Sequence, residues 1–235
     1  LATLALFRTR VSAKTGLDNT ASSAEQVLMD SWINEGVIET LLALKCYVIS
    51  ATMATSVGAA DYQLDAGILD IQDILVADVS SQAWSMQHVD PDEILYMRRV
   101  TVATSAPPRF YALNGANMLM VYPTPSEVDT FTIYYVPRPT ALANPTDDPS
   151  TATLGGIPSE YHKLVEWWAL SEAGDFADDA SAQQGMTYLQ KFNAKVKDYR
   201  RRQLMKGGRL PRKLPGNSTR AMIGARNDID TGSWS

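Results

Sequence analysis

The residues of this chain with chemistry to offer are two histidines, one cysteine and an abundance of carboxylates. His162 and Glu166 stand at i and i+4, a spacing that sets two metal ligands on one face of a helix. A zinc site of the His-Glu-x-x-His kind needs a second histidine on that face and a third ligand from elsewhere, and neither is in view. A helix-surface hydrogen bond or a packed first turn is the expected use of the pair. Cys46 has no base beside it and no second cysteine to bridge, so it reads as a buried, inert thiol at the end of a helix. Gly155-Gly156 and Gly207-Gly208 lack the spacing of phosphate-cradling loops, and no Gly-x-Ser-x-Gly elbow occurs. The pairs Asp147-Asp148 and Asp178-Asp179 fall in breaks and read as solvated loop charges. A site assembled from distant carboxylates stays open at this level. No catalytic, cofactor-binding or metal-ligating residue is assigned, and the expectation is a protein that is not an enzyme.

Two other groups of residues point to contact rather than to catalysis. Trp167 and Trp168 are adjacent, and successive helix positions point about 100° apart, so they cannot share one core. One of them is expected to meet another element or another subunit. Arg200, Arg201 and Arg202, followed by Lys206, Arg209, Arg212 and Lys213, form a basic run toward the end of the chain. Three readings fit it: a nucleic-acid contact, a solvated helix end complementing its own dipole, and an arm that orders on an acidic partner. The last is preferred, because a DNA-binding domain would usually carry basic residues across its folded face as well. Leu210, Leu214, Met222 and Ile223 are the apolar anchors such an arm offers.

The elements that must position these residues can be read from periodicity and caps. Leu4, Leu6, Phe7 and Val11 predict a helix over 2–14, stopped by Gly16. Ser23 and Gln26 fit a capping box at the head of a helix over 23–45, with Gly36 inside it at a cost of roughly 1 kcal/mol relative to alanine. After Cys46 the pattern turns β-branched and alternating. YVISATMATS predicts a strand, and DYQLDAGILDIQDILV predicts two more around a break at Gly67. Asp90, Pro91 and Glu93 open a short helix. Asn114-Gly115 between two apolar runs predicts a hairpin with a type I′ turn. TFTIYYV is a strand stopped by Pro137 and Pro139. A loop over 140–156 leads to Ile157-Pro158-Ser159-Glu160-Tyr161-His162 and a helix to Phe176. A further helix over 181–205 follows on Met186, Leu189, Phe192, Val196 and Tyr199. The fold class is α+β: a helical bundle built from the N- and C-terminal helices (1–45 and 141–205), interrupted by an inserted antiparallel β-domain (46–140), with an extended basic arm over 206–235.

Charge supports that division. Residues 1–190 hold 9 basic and 23 acidic residues, a balance of −14, whereas residues 191–235 hold 12 basic and 3 acidic, a balance of +9. An acidic body with a basic tail is built to meet another surface. No apolar run approaches the roughly 20 residues a bilayer demands, and the opening LATLALF lacks the charged start of a signal peptide. No membrane contact is expected.

Taken in order, the motifs resemble the head-to-tail adaptor (connector) proteins of tailed bacteriophages. The matching residues are Asn34-Glu35-Gly36, Tyr111-Ala112-Leu113-Asn114-Gly115 and Tyr122-Pro123-Thr124-Pro125. They continue with Tyr134-Tyr135-Val136-Pro137-Arg138-Pro139, an acidic loop, and Ile157 to His162. The resemblance spans about 3–205. It implies a virion protein of the neck, made in the host cytoplasm and docked beneath the portal protein in a ring of about twelve copies. The stopper or tail protein would lie below it, and DNA would pass through the channel without sequence-specific binding. It brings no catalytic residues and no cofactor. Other ring subunits (tail tube, stopper or tail terminator) are the nearest alternatives. A β-sandwich ligand-binding module that holds carbohydrate through Trp84 is the alternative from another class.

Overall fold

The computed structural model describes residues 2–78, 82–100, 105–115, 117–176 and 179–206. Among them it is a mixed α+β protein with five α-helices. Two compact units can be separated, Leu1–Ala194 and Lys195–Ser235.

Helix α1 (Leu4–Thr15) ends where the sequence says it must. Gly16 takes φ +76° and its N–H reaches the carbonyl of Ser12 at 2.8 Å. Helix α2 (Ala24–Leu44) starts at Ser23, whose hydroxyl accepts from the N–H of Gln26 at 3.0 Å. The side-chain oxygen of Gln26 accepts from the N–H of Ser22, one residue earlier than the capping box predicts. Helices α3 (Pro91–Val100), α4 (His162–Phe176) and α5 (Asp179–Lys206) complete the set. Phe7 and Val11 of α1, Ile33, Val37 and Leu41 of α2, and Val165 and Ala169 of α4 share one apolar core.

The crossing of α2 and α4 explains the glycine within α2. A Cβ on Gly36 would lie 2.8 Å from the carbonyl oxygen of Val165 and 3.3 Å from Cβ of Trp168. The helix-propensity cost that Gly36 carries is offset by a backbone approach that no other residue permits.

The strands form two four-stranded sheets. The first has the order β1 (Ile49–Ala54), β8 (Thr130–Pro137), β3 (Ile68–Ala77), β4 (Ala83–Ser85), all antiparallel. The second has the order β2 (Asp61–Gln63), β7 (Met118–Tyr122), β6 (Phe110–Asn114), β5 (Gln87–His88). Ile74, Val76, Phe131 and Ile133 of the first sheet pack with Tyr62, Tyr111, Leu119 and Val121 of the second in a sandwich core. Helix α3 covers the far side of the second sheet through Ile94 and Met97, which meet Ala112, Met120 and Tyr122.

Two expectations are corrected here. The β-region is not wholly antiparallel, because β5 pairs with β6 in parallel. Helix α3 lies between those strands, and its crossover brings the chain back in its original direction. The Asn114-Gly115 hairpin exists, but Asn114 is paired with Met118 and belongs to the strand. Residues 115–117 connect the two strands, and among the described residues of this connection Gly115 (φ +61°) and Asn117 (φ +73°) are left-handed. An Asn on each side of one Gly permits both turns, and the pairing with Met118 selects the longer one.

Gly36→Ala tests the crossing. Helix propensity alone predicts a gain of about 1 kcal/mol. The contact with Val165 predicts instead a loss of roughly 1–3 kcal/mol through overpacking. Thermal unfolding followed by circular dichroism should show a lowered midpoint, and a raised midpoint would refute the close approach.

Candidate functional site

The pair read as possible metal ligands is engaged inside the protein. His162 is 3% exposed. Its Nδ1 accepts from the N–H of Ala2 at 3.3 Å, and its Nε2 lies 3.0 Å from the carbonyl oxygen of Ile157. These partners describe the neutral ring, with Nε2 as the donor. Burial pushes the imidazole below its ordinary value, against the opposing pull of the Ile157 carbonyl and of Asp148. The Glu166 carboxylate is buried as well, and its two oxygens meet Lys14 Nζ at 2.5 Å and Arg10 Nη1 at 3.3 Å. The pair therefore fastens α1 and the chain start to α4. Arg8 adds a two-pronged contact to Asp30 of α2, both bonds 2.6 Å. Arg8, Arg10 and Lys14 of α1 are thus tertiary ties. Cys46 follows α2, half-buried, its thiol pushed up to about 11 by burial.

The adjacent tryptophans diverge. Trp168 turns to α5, where its ring meets Phe192 edge-on with centroids 5.4 Å apart. Trp167 remains half-buried, with the Lys163 ammonium 5.8 Å from its ring centre. Trp84, the residue offered for carbohydrate, packs against the sandwich core and donates its indole N–H to the carbonyl of Pro108 at 2.8 Å.

Arg200, Arg201 and Arg202 lie exposed on the last turns of α5, and Arg202 pairs with Asp198 one turn back at 2.8 Å. Consecutive positions spread the three guanidinium groups round the helix instead of aligning them on one face. Lys206 is the final residue of α5. Arg209, Leu210, Arg212, Lys213, Leu214, Met222 and Ile223 lie outside the described residues.

Several exposed apolar residues escaped the sequence reading. Leu95, Tyr96 and Val100 project from α3, Val57 and Val128 from loops, and Met186 and Leu189 from α5. Periodicity marked the α5 pair as apolar-face positions, but of that set only Phe192 and Val196 are buried. The outer strand β1 is a further candidate surface, exposed along most of its length. A signal for it was present, since residues 46–60 contain no charged residue and no proline.

Residues 2–212 match the family model described as SU10 adaptor protein. The chain belongs to the SU10 adaptor family. No curated protein matches it. Membership in the SU10 adaptor family makes this a structural adaptor of bacteriophage particles, in keeping with the head-to-tail resemblance read from sequence. The family match ends at Arg212, so the last part of the basic segment lies beyond it. Among the described residues no helix is long and apolar enough to cross a membrane.

The His162 contact carries a pH signature. Its folded pKa lies below the unfolded value of 6.5, so the unfolded chain takes up the proton first on acidification. The stability it contributes is complete above that value and is lost as pH falls through the folded pKa. Urea unfolding between pH 7.5 and 5.5 should show this decline in the native protein. His162→Gln, which retains an acceptor and a donor, should show a shallower one. Equal slopes would overturn the assignment.

Proposed function

We propose that this chain is one subunit of an adaptor ring of about twelve copies, closed by heterologous contacts and seated beneath the portal. The ring joins the DNA-filled head to the tail and surrounds the path by which DNA leaves. The observation that carries this reading is the family match over residues 2–212. The charge balance supports it: a body of −14 presents a channel wall that repels phosphate and lets DNA slide, where a lysine- and arginine-lined wall would hold it.

In this reading the helices that pack around Phe7, Val37 and Val165 form the bundle, the sandwich is an insertion over 46–140, and residues 206–235 form a docking arm. The arm and the exposed end of α5 supply basic residues, from Arg200 to Lys213, to an acidic surface of the portal or of a neighbouring copy. Trp167 serves a subunit contact. The stopper or tail protein binds on the opposite side.

Mass measurement tests the reading directly. The free chain should be a monomer or small oligomer, because a net-negative body resists association with itself. Mixed with portal rings it should add as a ring of about twelve. A chain truncated after Lys206 should keep its thermal midpoint yet bind portal rings more weakly. A stable dimer with no affinity for portal would sink the proposal. A steeply salt-dependent affinity of the 206–235 peptide for duplex DNA would show instead that the arm binds nucleic acid.

A further inference from the structure

Strand β1 is the outermost strand of its sheet and is open in two ways. The first is its ladder. The N–H of Thr55 bonds to the carbonyl of Asp129 at 2.8 Å, which fixes the phase of the pairing with β8. By the alternation of an antiparallel ladder, Ile49, Ala51 and Met53 face β8, and the backbone groups of Ser50, Thr52 and Ala54 face outward. Among the described residues no backbone group bonds to those three from the open side.

The second opening is in the sandwich. Ile49, Ala51 and Met53 stand opposite Tyr135, Ile133 and Phe131, so their side chains share the inner face of the sheet. Ile133 and Phe131 are buried, yet Ile49 and Met53 are only half-buried and Ala51 is exposed. The core thins out at this edge. An added strand would complete both the ladder and the apolar layer. No lysine, proline or other charge guards the edge, and none occurs anywhere in 46–60.

We infer that the β1 edge accepts, as an added strand, the segment Thr219–Ala225 of a neighbouring copy. This rests on reading the chain as a ring subunit. Three observations choose the occupant. Residues 46–140 carry 4 basic and 10 acidic residues, and residues 207–235 carry 5 basic and 2 acidic, so the two are complementary in charge. Pro211 and Pro215 bar the first part of the segment from a ladder, whereas no proline follows Pro215. Thr219–Ala225 also has the alternation the site needs. Ala221 and Ile223 can face the thin core while Arg220 and Met222 face outward. The stretch between Lys206 and Thr219 can span up to roughly 45 Å, enough to reach another subunit.

Disulfide trapping on the full-length chain tests this, with Cys46→Ser as background. One preparation carries Thr52→Cys and a second carries Met222→Cys. The two are mixed under oxidising conditions, alone and with portal rings. Position 52 points outward, so it should form a covalent dimer with position 222, several-fold more than with Ala221→Cys, whose side chain would face the core. No dimer, or equal trapping by 221 and 222, overturns the inference. So does a disulfide that closes within one chain when Thr52→Cys and Met222→Cys are combined. Portal-bound rings without trapping would defeat the β1 inference and leave the adaptor reading intact. Trapping without any portal binding would do the reverse, and absence of both would defeat both.

Discussion

The body of this adaptor depends on how closely other elements approach α4. Against α2 the approach is made at Gly36, where the missing Cβ admits the carbonyl of Val165. Against α5 the same device recurs, and a Cβ on Gly185 would lie 2.9 Å from the carbonyl oxygen of Ser171 and 3.0 Å from Cα of Gly174. Backbone-to-backbone contact leaves little freedom in crossing position, because no flexible side chain lies between the helices to yield. The remaining ties follow from that placement. Trp168 can reach Phe192 only if α5 is held close, and Glu166 can take Arg10 and Lys14 only if α1 lies along α4.

The ion pairs within the body also set its outer charge. Arg8, Arg10 and Lys14 bind Asp30 and Glu166, Lys45 binds Asp70, and Arg98 binds Asp61. Five of the nine basic residues in 1–190 are thus drawn into intramolecular pairs. Acidic residues so greatly outnumber them that the surface stays negative. Pairs with both partners in contact with water add little stability, but the buried Glu166 needs its cations, since an uncompensated carboxylate there would be costly. The basic residues of the body are organised for internal fastening. The stretch after residue 190 contains 12 basic residues and, as acids, only Asp198, Asp228 and Asp230.

Local signals made much of the secondary structure legible. Gly16, Ser23 and Asp90 mark helix ends through backbone chemistry that operates within a few residues, and each lies where the chain predicts. Long-range facts were not legible. Nothing in Gln87 or His88 says that they will pair in parallel, because that depends on the path of α3. Asn114 and Gly115 promised a turn, but the register between Met118 and its partner decided its length. His162 and Glu166 were correctly placed on one helix face, yet apart from the Ile157 carbonyl the hydrogen-bond partners come from Ala2, Arg10 and Lys14, more than 150 residues away. A sequence window can show that two groups share a face; it cannot show what the face meets.

The two edges of the first sheet differ in how they are guarded. Strand β4 and the following Met86 cover Ile74–Ala77 of β3, so among the described residues Ile68–Asp73 have no strand partner on that side. That part carries the charged residues Asp70 and Asp73, held by Lys45 and Ser85, and two register shifts distort it. At β1 neither protection is present. An unguarded edge is a hazard for a protein that remains alone, because any extended chain can extend the ladder. Here the hazard is limited by shortness, six residues, and by a negative body that slows the meeting of two copies. In the proposed ring that combination would serve ordered assembly: subunits kept apart by their charge, and an edge that becomes useful once a template has brought them side by side.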